Sequence, residues 1–334
     1  MSAEYKIKTP NSNNEVLIAE DLKRNYGGRQ ALKGLSFSLN AGHVLGFLGP
    51  NGAGKTTAIR ILTTIMEPDS GHFVVDGIHS DYPDKIRSRI GVLPETLGFP
   101  KQITGMDLLI YFGKLYGYST AQAKENAEEL AIKVGLEKRA RSLIGSYSRG
   151  MRQRLGIARA LVNNPAVVFL DEPTLGLDPR GQKDLLALIE RIAAEWNAAV
   201  VLCSHHITDI QSVCDDVVIL NLGQVVASGS VHNIIEQTHH NSIRIRVPLT
   251  SLNEAKPLLE AIPGIINVNV DGKMSGWLGL ELEDISKRND SDKYQINNII
   301  LNSLISAQIP IISFEAEKGH LRDVFLNLTE EETE

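Results

Sequence analysis

Gly49-Pro50-Asn51-Gly52-Ala53-Gly54-Lys55-Thr56 carries glycine, lysine and threonine at each fixed position of a glycine-rich phosphate-binding loop. Val44-Leu45-Gly46-Phe47-Leu48 precedes it as a short apolar run, the mark of a buried strand, and Thr56 to Met66 follows with helical periodicity. Strand, glycine turn and helix come in the order that phosphate binding needs. Glycines let the backbone approach phosphate oxygens, and the N–H groups opening the helix offer aligned donors and a partial positive charge. Lys55 is placed to reach β- and γ-phosphates, and the Thr56 hydroxyl to ligate Mg²⁺. Gly49 to Thr57 is therefore the expected triphosphate site.

Downstream, Val167-Val168-Phe169-Leu170 is an apolar strand that delivers Asp171 and Glu172 at its C-terminal end, where ligands of α/β sheets sit. Asp171 is expected to hold Mg²⁺, directly or through water, and Glu172 to polarise an attacking water. Ahead of them, Tyr147-Ser148-Arg149-Gly150-Met151 opens a helix predicted from about Arg149 to Val162. Ser148 reads equally well as a plain N-cap and as part of an anion-facing helix start.

Composition narrows the classes. At 334 residues the chain can build a large domain with a full core and a small second one. The net charge of -6 lies wholly beyond Asn241, where nine basic residues meet fifteen acidic ones, so neither part has the basic surplus of a nucleic-acid binder. Cys203 and Cys214 have neither metal-ligand spacing nor a disulfide framework, which suits a reducing cytoplasm. Met1 to Asn14 lacks the apolar core of a secretion signal. The most apolar long stretch, Ile299 to Phe314, is interrupted by Asn302, Ser303, Gln308 and Pro310, so any membrane span is expected from another chain.

The remaining pattern alternates strands and helices. Residues 1–15 read as a polar lead, and Val16–Ala19, Leu35–Leu39 and Phe73–Val75 as strands. A helical insert runs from about Lys101 to Gly145, with Thr104-Gly105-Met106-Asp107 in the form of a capping box. A helix over 181–196, a strand over 199–202 and a hairpin of 217–220 with 224–227 follow. His239-His240-Asn241 marks a boundary. Beyond it, strands at 243–247, 265–270, 277–282 and 309–313 and helices at 252–261, 293–307 and 320–328 predict a ferredoxin-like α+β domain over 241–329, before an acidic tail at 330–334.

Taken together, these segments closely resemble the nucleotide-binding subunits of ABC transporters, over about residues 16–236. The likeness implies an α/β P-loop ABC-type ATPase domain with a helical subdomain at about 96–146. Tyr147 to Gln153 occupies the family's signature position, commonly Leu-Ser-Gly-Gly-Gln; Ser148 and Gly150 are retained, whereas Arg149 and Met151 depart. The family implies that Ser148, Arg149 and Gly150 face the γ-phosphate of ATP held by the opposite subunit. Leu175-Gly176-Leu177-Asp178-Pro179 matches the dimer-facing loop, so Asp178 is implied in setting the water and the cross-interface geometry. His205, 33 residues after Glu172, looks like the switch histidine on the γ-phosphate, the Ser204-His205 register favouring it over His206. Tyr26 matches the aromatic that stacks on adenine, with core packing as its alternative. Where the family commonly has Gln, this chain has Glu95, which can still ligate Mg²⁺ but adds a negative charge beside Asp171 and Glu172. The implied function is an ATP-hydrolysing subunit that dimerises on MgATP and powers a separate membrane permease, as an exporter, from the inner face of the cell membrane. A soluble mechanical ATPase and an ATP-dependent sensor are the alternatives.

Overall fold

Two twelve-residue strands, β1 (Glu15–Tyr26) and β2 (Arg29–Asn40), open the computed structural model, which describes residues 14–237, 242–270, 276–283, 290–316 and 321–330. The lead over 1–13, the boundary at His239–Asn241 and residues 331–334 of the acidic tail lie outside the described residues. The hairpin turn is Gly27-Gly28, both with positive φ (54° and 96°), as a two-residue turn matching strand twist requires. It sets Tyr26 directly across from Arg29.

The chain continues through β3 (Val44–Leu48), α1 (Lys55–Leu62), β4 (Ser70–Val75), β5 (Ile78–His79), α2 (Pro83–Arg87) and β6 (Ile90–Leu93). The helical insert holds α3 (Gly105–Leu115) and α4 (Thr120–Lys133), and α5 (Arg149–Ala160) follows. Then come β7 (Val167–Asp171), α6 (Pro179–Trp196), β8 (Ala199–Cys203), α7 (Ile207–Val213), β9 (Asp216–Asn221), β10 (Gln224–Ser230) and α8 (Val231–Gln237). An antiparallel sheet of order β2-β1-β4-β5 faces a six-stranded sheet of order β10-β9-β3-β8-β7-β6, parallel except for β10. Alternate residues of the parallel strands (Leu45 and Phe47, Val167 and Phe169, Val201 and Cys203) share one core with Leu17, Leu35, Phe73 and the α1 residues Ile59, Ile61 and Leu62. That core clamps α1 between the sheets, so the loop at its head is rigid by packing.

The helix after the glycine loop is shorter than its periodicity predicts. Thr63 turns its hydroxyl back onto the Ile59 carbonyl (2.7 Å), and Thr64 takes φ 60°, so α1 ends at Leu62. In the insert, Ser119 and Gln122 form the reciprocal capping box of α4, whereas Thr104 caps α3 by accepting from the Asp107 N–H and donating to its carboxylate.

Contacts divide the chain into two compact units, Met1–Ile234 with Phe325–Glu334, and Ile235–Val324. Past Gln237 the elements are β11 (Ser242–Arg246), α9 (Leu252–Glu260), β12 (Ile265–Val270), β13 (Trp277–Leu282), α10 (Asp290–Ser306), β14 (Ser313–Ala316) and α11 (Leu321–Glu330). The four strands form an antiparallel sheet of order β12-β13-β11-β14, the split βαβ topology of ferredoxin-like domains. Its core joins Ile243, Ile245, Leu278 and Leu280 to Leu259, Ile300 and Leu304. The last strand begins at Ser313 rather than Ile309, because Pro310 has no N–H for a ladder and Gln308 takes φ 56°.

Candidate functional site

Every residue of β3 is buried, and the strand ends where the glycine loop begins. Gly54 stands at the N-cap of α1 with φ 112°, and a Cβ there would fall 2.5 Å from the Ala31 carbonyl oxygen. Only glycine meets both demands. No side chain caps this helix, so its first N–H groups remain available to an anion, reinforced by the helix dipole. Lys55 Nζ donates to the carbonyls of Gly49 (2.6 Å) and Pro50 (3.1 Å), folding the side chain over the loop. Burial lowers its pKa below the ordinary lysine value, while Cys203, Glu172 and Asp171 oppose that shift.

The acidic side is assembled by two strands far apart in sequence. β7 and β8 are parallel neighbours with Asp171 beside Cys203, so the residues leaving both strands emerge together. Glu172 takes a left-handed φ of 48°, and its N–H donates to the Cys203 carbonyl at 3.0 Å. His205 Nδ1 lies 2.8 Å from Glu172 Oε2 and donates to it. Burial first, then the charges of Glu172 and Glu95, push the Asp171 carboxyl above the usual range; Lys55 and Arg60 pull the other way.

A cleft of about 680 Å³ collects these groups: Tyr26, Asn51 to Thr57, Glu95, Asp171, Glu172 and His205. Tyr26 is 42% exposed there, its hydroxyl donating to Met66 Sδ, so it is not a core residue. Gly49 and Pro50 stand behind the cleft as the carbonyl acceptors for Lys55. Ser148, Arg149, Gly150 and Asp178 do not line the cleft. Ser148 caps α5 by accepting from the Met151 N–H (3.2 Å), and Asp178 caps α6 by accepting from the Gly181 N–H (3.1 Å). The Arg149 guanidinium packs on Gly176, whose missing Cβ leaves room for it. Leu175, at the head of the dimer-facing loop, lines the cleft as well, and so do Arg29 and Ala31, which lie outside the sequence motifs. Arg29 had a signal, since a two-residue turn places it opposite Tyr26, and its guanidinium reaches over Gly52. Ala31 is apolar lining with no local signature.

Glu95 also lines a second cavity of about 370 Å³, shared with Phe99, Lys101, Ile144, Arg149, Arg152 and Gln153. Gln153 is buried at the foot of α5, and its Oε1 has no partner among the described residues.

A helix start free for an anion, a lysine above it, and carboxylates with a histidine across the cleft suit a nucleoside triphosphate and its hydrolysis. Residues 32–175 match the family described as "ABC transporter". The chain is 30% identical over 318 residues to the linearmycin resistance ATP-binding protein LnrL of Bacillus subtilis, covering 94% of this chain and 98% of that protein. It is 34% identical over 306 residues to the daunorubicin/doxorubicin resistance ATP-binding protein DrrA of Streptomyces peucetius, covering 91% and 89%. Among solved structures, a dimeric ATP-binding cassette in a post-hydrolysis state with ADP and Pi superposes with a TM-score of 0.58 at 24% identity, over 64% of this chain and 98% of that one, a likeness of fold. A cleft that can hold and cleave a triphosphate thus sits in a chain whose relatives match it nearly end to end. The chain belongs to the ATP-binding subunits of ABC transporters: it is an ATPase that serves a membrane transporter.

Proposed function

We propose that two copies close face to face on MgATP, each nucleotide lying between one glycine loop and the partner's Ser148–Gly150 helix start. The observation that carries this reading is the division of the groups within one chain. Lys55, Asp171, Glu172 and His205 line one cleft, while the exposed, serine-capped start of α5 points no donors into it. A chain bearing both halves makes a self-complementary pair about a two-fold axis. Binding energy from both loops is then available only when the pair is closed, and turnover reopens it.

The donor set also fits a hard cation. Thr56 hydroxyl and the Asp171 and Glu95 carboxylates share the cleft, yet among the described residues no group of three His, Cys, Asp or Glu could hold a metal alone. That pattern suits Mg²⁺ carried in with the phosphates. The ion would offset triphosphate charge and hold the β- and γ-phosphates in register. Lys55 and the N–H groups of α1 orient the phosphates, Tyr26 offers its ring to the base, and Glu172 aligns the attacking water and takes up its proton. His205 faces the γ-phosphate, and Asp178 braces the loop that meets the partner.

The permease is proposed to be a separate chain, as LnrL and DrrA, matched over 98% and 89% of their own length, are named as ATP-binding proteins; among the described residues no helix is long and apolar enough to cross a membrane. LnrL and DrrA are resistance proteins by name, which points to outward transport from the cytoplasmic face.

The pairing is tested on the permease-free protein. Turnover per molecule should rise with protein concentration over the range where light scattering reports an ATP-dependent dimer. A constant specific activity in a strictly monomeric form would end this reading.

Glu95→Gln probes the cation site. Removing that like charge should lower the Asp171 pKa, so Mg²⁺-dependent ATP binding should persist to lower pH than in the parent. A loss of Mg²⁺ affinity equal at every pH would show instead that Glu95 acts mainly as a ligand.

A further inference from the structure

Beyond the ends of β7 and β8, ladder pairing stops at Asp171 and Cys203, and one backbone bond, Glu172 N–H to Cys203 O, still joins the two loops. Yet Glu172 keeps a left-handed φ and His205 stays 2.8 Å from its carboxylate. Such a strained residue persists only where its surroundings over-determine it.

Those surroundings centre on Asp209, in the first turn of α7. Its Oδ2 accepts from the Thr174 hydroxyl at 2.7 Å and lies 3.4 Å from the Ser204 hydroxyl, which also donates to it. Ser204 Oγ in turn accepts the His206 N–H at 3.0 Å. Thr174 comes two residues after Glu172, and Ser204 immediately precedes His205. One carboxylate therefore clasps both loops. Thr174 and Ser204 are 0% exposed and Asp209 only 5%. Burying a carboxylate for two hydroxyl bonds is a poor way to add stability, since apolar residues of similar volume usually do as well or better. Its placement makes sense as geometry.

We infer that Asp209 is a positioning residue that holds His205 against Glu172 by bridging Thr174 and Ser204. Asp209 does not line the cleft; it acts through the two loops. The inference rests on Glu172 and His205 working in hydrolysis as proposed above.

Asp209→Asn keeps the shape and one acceptor but loses the charge that draws both hydroxyls. It should lower kcat by about 10- to 100-fold, the cost of slight misplacement of reacting groups, with ATP Kd within about twofold of the parent. In the nucleotide-free protein the His205 imidazole NMR signals should move. Thr174→Val should reproduce both effects, Thr174→Ser should restore the rate, and Asp209→Asn/Thr174→Val should cost little more than either alone. Parental kcat in both single variants, or a slower enzyme whose His205 signals stay unmoved, overturns the inference. Glu172→Gln and His205→Ala are measured alongside: normal turnover there would fail the underlying assignment, whereas slow turnover there with a normal Asp209→Asn enzyme would fail only the positioning role.

Discussion

Glu172→Gln should bind MgATP as tightly as the parent and lose about 10²- to 10⁴-fold in kcat, the span expected when a positioned base is removed. Glutamine preserves the volume and can still accept from His205 Nδ1, which lies 2.8 Å from the parent carboxylate, so the cleft stays assembled. It has no basicity to take the proton of an attacking water. The phosphate-binding groups, Lys55 and the start of α1, are untouched. Loss of the Glu172 charge also lets Asp171 ionise more readily, since Glu172 is the largest charge raising its pKa after burial. Binding without release should therefore trap the closed pair. Light scattering with ATP should report twice the monomer mass, and rapid-quench assays should show no fast phosphate burst. A variant that remains monomeric with ATP, or that turns over within tenfold of the parent, would remove Glu172 from its role.

Lys55→Ala acts earlier in the cycle. In the nucleotide-free protein Lys55 spends its ammonium on the carbonyls of Gly49 and Pro50, a contact the β- and γ-phosphates are placed to replace with a charge-assisted one. Truncating one partner of a desolvated charge pair costs about 3 kcal/mol, on the order of a hundredfold in Kd. Direct titration with a fluorescent ATP analogue should show this loss, and the ATP-dependent dimer should vanish at concentrations that saturate the parent. The loop itself should survive, because Gly54 and the buried β3 strand set its backbone without the lysine. An ADP affinity reduced less than that for ATP would place the ammonium chiefly on the γ-phosphate. Unchanged affinity for both would remove the phosphate assignment.

Much of the first unit was legible locally. The glycine loop, its strand and the start of its helix lie within about twenty residues, and β3 has the predicted bounds, Val44–Leu48. The end of α1 was not legible, because apolar spacing continues past Leu62 while the Thr63 hydroxyl and the Thr64 backbone break the helix. In the second unit the order and type of elements followed from periodicity; α10 starts three residues earlier than its spacing predicts, and the last strand is displaced by Pro310. Glu172 is legible from the apolar strand that delivers it, whereas His205 and Tyr26 are named through family likeness; no spacing rule says that residues 33 apart should touch. Arg29 and Asp209 carry no motif at all. One becomes visible from the Gly27-Gly28 turn, the other only when three buried polar side chains are seen to converge.

By itself, then, the amino-acid order determined the phosphate loop, because that geometry depends on backbone torsions, glycine freedom and hydrogen bonds spanning a few neighbouring residues. Tertiary structure alone decided that β7 lies beside β8, that Asp209 ties their loops together, and that the Ser148 helix start stays outside its own cleft. Those outcomes turn on which apolar faces are buried against which. That choice is made by the whole core at once, and no short stretch of chain encodes it.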